Sequence, residues 1–152
     1  MTPRMTSREL VNVVELKSVA LDSCEVTRGA GQPGTDGPIN TRFEGQVVVL
    51  DDGTIECQVR VLTEMFDGAK TPVATFRGTF LAAYDATDTE IEWDEDMVAM
   101  IGREAVSHAA PFVREFLSDM TSKMNLPRYL LPLVRSKDLS ATVNKLENTG
   151  DH

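Results

Sequence analysis

The chain has 152 residues, of which 15 are basic and 24 are acidic, and its formal net charge is −9. That acidity argues against a nucleic-acid-binding protein, because binding to phosphates requires a basic surface. No apolar stretch approaches the roughly 20 residues that span a bilayer, and residues 1–9 lack the apolar core of a signal peptide. We therefore expect a cytoplasmic protein with one domain over residues 10–146, flanked by flexible segments at 1–9 and 147–152.

The first predicted strand begins near Val14 and contains an irregularity. Apolar and polar residues alternate from Val14 to Lys17, and the alternation resumes at Val19 with its phase shifted. A phase shift within one strand predicts a β-bulge near Ser18. The segment Arg28–Pro38, which is rich in glycine and proline, predicts a long loop that crosses an edge or one end of the sheet.

Three further strands are predicted, separated by two turns. The strand at 41–50 leads into Asp51-Asp52-Gly53, whose Asp-Gly step favours a tight hairpin turn. Alternation over residues 55–61 predicts a strand with one buried and one solvated face. A second turn at Asp67-Gly68 precedes a strand at 71–84, on which Gly78 indicates either a close approach or a bulge. The apolar residues on the same side of that strand are Phe76, Phe80, Ala82 and Tyr84.

Helical spacing replaces alternation from Asp96 to about Met124. Pro111 lies inside this pattern and predicts a kink or a division of the helix. Two prolines interrupt residues 126–133, and a short second helix is predicted over 139–146. The expected fold class is α+β, with a four-stranded antiparallel sheet followed by a long kinked helix and a short C-terminal helix. The apolar arc of the long helix comprises Ala109, Phe112, Val113, Phe116, Leu117, Met120 and Met124.

Seven acidic residues crowd positions 85–96, just before the long helix. One interpretation is a solvated linker that supplies the helix with an N-cap and a negative first turn. The alternative is a calcium loop, but an EF-hand needs a glycine at its sixth position and this stretch contains none. We favour the linker and predict no metal site.

No catalytic constellation is recognisable in the sequence. The chain has neither a G-x-S-x-G elbow nor a phosphate-binding glycine loop. Glu56 and Glu64 are interpreted as solvent-facing carboxylates, and His108 as a core or interface histidine rather than a general base. Cys24 and Cys57 are interpreted as buried reduced thiols in preference to a disulfide. We therefore predict a protein that is not an enzyme and needs no cofactor.

A more specific pattern spans residues 108–133. It consists of the step Pro111–Glu115, which reads proline, phenylalanine, valine, arginine, glutamate, followed by Leu126-Pro127 and Leu130-Leu131-Pro132. In this pattern and in the order of its elements, the chain resembles the SecB family of protein-export chaperones. The resemblance covers residues 108–133 by motif and roughly residues 10–146 by organisation.

The resemblance implies a cytosolic homotetramer, a dimer of dimers, that holds unfolded polypeptides without ATP or metal. In the family, clients lie along apolar grooves between the sheet, the crossover loop and the helices. Charge repulsion among acidic protomers would keep loaded complexes soluble. The expected function is thus an ATP-independent holdase in protein export. The residues expected to bind clients are Phe76, Phe80, Phe112, Phe116, Met120, Met124, Leu126, Tyr129 and Leu130.

The chain departs from the family at the acidic positions that dock the SecA motor. Ser18 follows Lys17 where the family has an acid, and the fourth-strand stretch 71–75 contains no acid. Asp22 retains an acidic side chain and is the expected SecA-docking residue, with Glu25 and Glu64 as nearby substitutes. These departures from the family predict that coupling to SecA is weak or absent.

Three alternatives remain open, of which an unrecognised hydrolase is the most remote. The first is a SecB-like chaperone dedicated to one client, such as an antitoxin, which the altered docking positions favour. The second is an α+β protein that binds a small ligand in a pocket on Phe76, Phe80 and Phe112. Seven methionines and the apolar stretch 112–133 suit a surface that repacks around varied partners, and this favours a chaperone.

Overall fold

The computed structural model describes residues 14–34, 37–50, 52–86, 93–132 and 143–147. The flexible segments expected at 1–9 and 147–152 lie outside these residues, except that Glu147 is the last residue of a strand. The elements in chain order are β1 (Val14–Arg28), β2 (Ile39–Val49), β3 (Thr54–Phe66), β4 (Pro72–Ala86), α1 (Glu95–Lys123) and β5 (Val143–Glu147).

The strands form one sheet in the order β1-β4-β3-β2-β5. The first four strands pair antiparallel, and β5 pairs parallel with β2. Because β4 and β3 lie between β1 and β2, the connection from β1 to β2 crosses one end of the sheet. This confirms the crossover loop predicted over Arg28–Pro38.

Strand β1 is bulged twice along its pairing with β4. The register shifts between Leu16 and Ser18 and again between Leu21 and Ser23. The first shift confirms the bulge predicted near Ser18, and the second lies at Asp22. Each bulge adds twist and interrupts the regular ladder, so this edge of the sheet is irregular.

The predicted turns are confirmed. Between β2 and β3, the side chain of Asp52 accepts a hydrogen bond from the Thr54 amide at 2.9 Å, and Gly53 has a φ of +88°. That left-handed conformation carries no steric cost for glycine, which explains the Asp-Gly step. Between β3 and β4, the turn begins at Asp67, whose backbone amide donates to the Thr71 carbonyl at 2.9 Å.

The core lies between one face of the sheet and α1, which contacts all five strands. Alternate residues of the two central strands point into this core. On the other face, the same strands carry Glu56, Arg60, Arg77 and Asp85, all exposed. The core-facing residues of the central strands include Ile55, Cys57, Val59, Val61, Phe76, Phe80, Ala82 and Tyr84.

Both ends of α1 are capped by local hydrogen bonds. Asp94 is the N-cap and accepts from the Met97 amide at 2.8 Å, and Glu95 and Asp96 fill the first turn. At the other end Asn125 has a φ of +61°, and the Leu126 amide donates to the Thr121 carbonyl at 2.9 Å. This is the Schellman arrangement.

The helix runs through Pro111 as one element, so the predicted division does not occur. Proline has no N–H to donate within the helix, and the element tolerates that loss because the flanking turns are intact. No helix of the described residues is long and apolar enough to cross a membrane.

The α+β fold class is confirmed, with four antiparallel strands followed by a long helix. The short C-terminal helix predicted over 139–146 is wrong for residues 143–146, which belong to β5. Residues 139–142 lie outside the described parts of the chain. Residues 143–147 form a strand because the open edge of β2 supplies hydrogen-bond partners for their backbone, and these outweigh a weak local helical preference.

Candidate functional site

The second half of α1 carries two parallel stripes of side chains. Val113, Leu117 and Thr121 face the sheet and are fully buried. The neighbouring stripe, at the same spacing of four residues, holds Phe112 and Phe116 and reaches the surface. Phe112 is 46% exposed, and Phe116 is half-buried. The predicted apolar arc is therefore wider than the sheet covers, and one side of it meets solvent.

This surface continues from α1 onto β1 above Gly78. The rings of Phe80 and Phe116 meet edge to face with their centroids 6.0 Å apart. A Cβ atom at Gly78 would lie 3.2 Å from Phe80, 3.8 Å from Phe116 and 3.9 Å from Leu21. Gly78 pairs with both neighbouring strands without a register shift, so it permits a close approach of side chains and is not a bulge.

The segment after the helix, residues 124–132, turns back along the last turns of α1, and we call it the return segment. Thr121 organises it: its hydroxyl donates to the Leu117 carbonyl at 2.8 Å and accepts from the Tyr129 amide at 3.1 Å. The Arg128 side chain donates to the Ser118 hydroxyl at 2.6 Å. A proline-containing segment that cannot form a regular helix is thereby held at a fixed place.

The leucines of the return segment differ in burial. Leu126 and Leu131 are buried, whereas Leu130 is 50% exposed. Arg28, the last residue of β1, donates to the Met124 carbonyl at 2.6 Å and joins the crossover loop to this segment. The exposed leucine therefore lies on a surface built from α1, the return segment and the end of β1.

The nine residues predicted to bind clients divide by burial. Phe76, Phe80 and Leu126 lie in the core and support the surface from beneath. With both phenylalanine rings packed there, a ligand pocket on Phe76 and Phe80 is not supported. The remaining residues are half-buried or exposed, and we call them the apolar face: Phe112, Phe116, Met120, Met124, Tyr129 and Leu130.

Asp67 fixes the crossover loop to the β3–β4 turn. One carboxylate oxygen accepts from the amides of Ala69 and Thr71 at 2.9 Å each, and the other accepts from the Gln32 amide at 3.0 Å. These backbone donors, the Thr71 amide foremost, lower the pKa of the Asp67 carboxyl because they favour its charged form. The loop amides of Gly29 and Gly31 donate to Val73 and Pro72.

Two titratable groups at the edge of the core, His108 and Tyr84, contact each other. His108 is half-buried, and its Nδ1 lies 2.8 Å from the Tyr84 hydroxyl, which agrees with a packed histidine. Burial raises the pKa of Tyr84 and raises that of the Cys57 thiol to about 12, so both stay neutral at physiological pH.

Both cysteines are free, but only Cys57 is buried. The prediction that Cys24 is buried is wrong, because Cys24 lies on the edge strand β1 and α1 barely extends over that strand. Alternation along a strand does not show whether a helix covers it.

The acidic stretch supplies the N-cap and first turn of α1, as the linker interpretation predicted. Residues 87–92 lie outside the described parts of the chain. Among the residues that are described, no three carboxylate, histidine or cysteine side chains group together as metal ligands would.

The sheet face opposite α1 carries charges of both signs. Glu25 pairs in register with Arg77 across β1 and β4. Glu64 lies 3.7 Å from Arg42 and pairs in register with Thr75, in the stretch that lacks the family's acid. Asp22, the expected SecA-docking residue, is exposed at the second bulge of β1.

Sequence reasoning missed two exposed leucines on β1. Leu16 and Leu21 point to the side of the sheet that carries α1, yet they are 39% and 45% exposed. The phase shift predicted the bulge, but the edge position of β1, which leaves these residues uncovered, is seen only in the sheet order.

Four antiparallel strands with a crossover loop, covered by the long helix that follows them, define a SecB-like fold. A comparison of structures agrees with this. The chain superimposes on the SecB-like chaperone of Mycobacterium tuberculosis, solved in complex with a ChAD peptide from the HigA1 antitoxin, with a TM-score of 0.76. The two chains are 18% identical, and the match covers 85% of this chain and 96% of the other.

A protein of unknown function from Streptococcus agalactiae matches with a TM-score of 0.43 and 8% identity, over 78% of this chain and 95% of that one. That score is too low to establish a shared fold. No family model matches the sequence, and no curated protein matches it at a significant level. The match to the Mycobacterium tuberculosis chaperone thus confirms, at the level of the fold, the resemblance found in the sequence.

Proposed function

We propose that this protein is an ATP-independent holdase that binds non-native polypeptides on its apolar face. The observation that carries the proposal is that Phe112 and Leu130 are exposed, and that the other residues of the apolar face, which pack against the edge of the core, are only partly buried. A contiguous apolar surface on a soluble protein marks an interaction site. Phenylalanine, methionine and leucine give it area with little geometric demand.

The proposal includes the absence of catalysis. Holding an unfolded chain requires apolar area and solubility, and neither needs an activated nucleophile or a cofactor. The structural neighbour is a chaperone, which is a non-enzymatic class, and its bound antitoxin peptide supports polypeptide as the ligand class. A cytoplasmic location completes the proposal.

The test uses Phe112→Asp. Phe112 is 46% exposed, so the substitution leaves the core intact and places a charge on the surface where clients are proposed to bind. We expect it to abolish most of the suppression of aggregation of heat-unfolded luciferase, measured by light scattering without ATP. Mass measured on the same samples shows whether assembly survives.

Ser122→Asp is the matched control, because it adds the same charge to an exposed position of the same helix outside the apolar face. It should suppress aggregation as well as the wild-type protein does. Full activity of Phe112→Asp, with a native thermal transition, would show that clients do not bind on this face.

Coupling to the SecA motor is proposed to be weak. Glu25 and Glu64, the nearby acids that would substitute for the altered positions, each have an arginine as a neighbour on the sheet. A neighbouring cation reduces the negative potential that attracts a basic partner. Calorimetry against a basic SecA tail peptide should detect little binding at physiological salt. Micromolar binding that Asp22→Ala abolishes would contradict this, and a role in export would then be favoured.

A chaperone dedicated to one client is the second candidate. It is supported by the antitoxin peptide bound to the structural neighbour and by the reduced acidity around the expected docking positions. General holdases suppress the aggregation of unrelated clients at similar ratios, whereas a dedicated one protects a single partner. The luciferase assay described above therefore separates the two candidates.

A further inference from the structure

We propose that the end of the apolar face next to Arg28 and Arg128 selects client segments that carry acidic side chains beside their apolar ones. The inference rests on the proposed function and names the class of segment that this surface prefers. It is carried by the positions of the two arginines, by their lack of an ion-pair partner among the described residues and by the different charge at the other end of the face.

Arg28 reaches the apolar face from the end of β1. It pairs in register with Ala74, which is buried in the core, so its side chain leaves β1 on the side that carries α1. There its Nη1 donates to the carbonyl of Met124, a residue of the apolar face, at 2.6 Å. The residue is exposed, and a guanidinium group has further N–H donors that remain open to a ligand.

Arg128 lies at the same end of the apolar face, on the return segment. Its Nε donates to the Ser118 hydroxyl at 2.6 Å, which holds the guanidinium group against α1. The residue is exposed and directly precedes Tyr129 and Leu130. The terminal nitrogens of the group are not used in that bond, and an arginine can present such donors in parallel to both oxygens of a carboxylate.

The described part of the chain does not neutralise either arginine. No carboxylate within it forms an ion pair with Arg28 or Arg128, whereas Lys123 on the last turn of α1 pairs with Asp119 at 2.9 Å. The net charge of the whole chain is −9, so two uncompensated cations beside an exposed apolar surface are a local exception. Their positive potential complements an acidic ligand.

The other end of the apolar face has a different charge. Glu115 is exposed and lies three residues after Phe112, so the two side chains are neighbours on the surface of α1. Arg114 is also exposed, but it lies four residues before Ser118 and so on the side of α1 that Arg128 contacts. A client carboxylate is therefore attracted at the return segment and repelled near Phe112.

The acidity of the whole chain and the charge of this end of the face predict opposite preferences. A surface dominated by distant acidic residues would favour basic clients. At physiological ionic strength the Debye length is about 8 Å, so charges that contact the client outweigh charges farther away. We therefore expect the arginines beside the apolar face to decide the preference, in favour of acidic segments.

The test compares three unlabelled peptides by isothermal titration calorimetry at physiological salt. They share a core of leucine, phenylalanine and serine and differ only in the two residues that follow it, which are aspartate, asparagine or lysine. The aspartate peptide should bind about three- to tenfold more tightly than the asparagine peptide, as two exposed ion pairs would give. The lysine peptide should bind least tightly. The preference should disappear at about 1 M salt, where the Debye length is about 3 Å.

The main variant is Arg28→Gln combined with Arg128→Gln, because glutamine keeps an amide donor for the existing hydrogen bonds. It should lose the preference for aspartate or reverse it in favour of lysine. Arg60→Gln combined with Arg77→Gln is the matched control, since it removes the same charge from exposed positions on the sheet face opposite α1. This control should keep the wild-type order of affinities. Arg28→Lys combined with Arg128→Lys keeps the charge and should also keep that order.

The comparison of peptides on the wild-type protein does not depend on any variant folding. Equal or tighter binding of the lysine peptide there would overturn the proposal, and so would no binding of any peptide. An aspartate preference that survives in the folded Arg28→Gln, Arg128→Gln variant would also overturn it.

Two measurements report the proposed function separately. They are the binding of the asparagine peptide, which Phe112→Asp should abolish, and the suppression of luciferase aggregation. If both persist in the wild-type protein without any charge preference, the proposed function stands and clients bind through apolar contacts alone.

Discussion

Single residues decide how the crossover loop is held, and Asp67 is the clearest case. Its carboxylate joins the loop to the β3–β4 turn through three backbone amides. Sequence reasoning identified Asp67-Gly68 as a turn, which is a local property of the two residues. It did not identify the link to Gln32, because that residue lies 35 positions earlier in the chain.

We predict that Asp67→Asn lowers the thermal midpoint at pH 7. The amide group of asparagine cannot accept the hydrogen bond from Gln32 that the second carboxylate oxygen accepts. Asp52→Asn is the matched control, because Asp52 accepts only locally, from Thr54, through an oxygen that asparagine retains. Thermal unfolding followed by circular dichroism measures both.

The loss of stability caused by Asp67→Asn should depend on pH. The pKa of Asp67 is lowered in the folded protein, so its stabilisation is present above the unfolded pKa of about 3.9. It is lost as the pH falls through the lower folded value. The difference between the wild-type protein and Asp67→Asn should therefore be constant from pH 7 to about pH 5 and narrow below about pH 4. A difference that grows on acidification would contradict the assignment.

At the scale of elements, the return segment depends on the helix before it. The pattern of leucines and prolines excluded a regular helix over 126–133, and none is formed in its described part. The pattern did not show that Leu126 and Leu131 turn inward while Leu130 turns outward. That choice is made by hydrogen bonds to Thr121 and Ser118 on α1.

Thr121→Val should therefore loosen the return segment. Valine has nearly the same shape, but it removes the acceptor of the Tyr129 amide and should cost about 1–2 kcal/mol of unfolding free energy. We also expect weaker client holding, because Tyr129 and Leu130 would no longer be fixed. Urea denaturation and the luciferase assay measure the two effects.

Ser122→Ala provides the comparison, since Ser122 is exposed on the same turn of α1. It should change the unfolding free energy by less than about 0.5 kcal/mol. If Thr121→Val were as stable as this control, the hydroxyl would not hold the segment.

At the scale of the whole molecule, β1 leaves apolar side chains uncovered on the side of the sheet that carries α1. Leu16 and Leu21 lie on an edge strand, and α1 extends little over them. An unpaired edge that carries apolar side chains is a surface that a second copy of the chain would cover. We propose that β1 contributes to a contact within a homotetramer.

The wild-type protein should have a mass of about 67 kDa in solution, which is four copies of a 16.7-kDa chain. Leu16→Glu combined with Leu21→Glu should yield a smaller species, because the contact would bury two carboxylates. Glu15→Gln, an exposed change on the same strand, should leave the mass unaltered. Multi-angle light scattering at several concentrations decides this, and a wild-type mass of one chain at every concentration would exclude assembly.

The sequence by itself determined the local elements and their order. Strand alternation, the bulge near Ser18, the Asp-Gly turn and the acidic start of α1 all depend on residues close in the chain. The pattern over residues 108–133 also led to the SecB-like fold. These features were predictable because each is set by sterics or hydrogen bonds within a few residues.

Only the tertiary structure decided which apolar residues are covered. Phe80 and Phe112 look alike in the sequence, yet one lies in the core and the other is exposed, because Phe80 lies on a strand that α1 covers and Phe112 lies on a side of α1 that the sheet does not cover. Residues 143–147 form a strand because β2 offers an open edge, which no local pattern records. Burial and edge pairing depend on distant segments meeting, and so they follow from the fold and not from any single stretch of the chain.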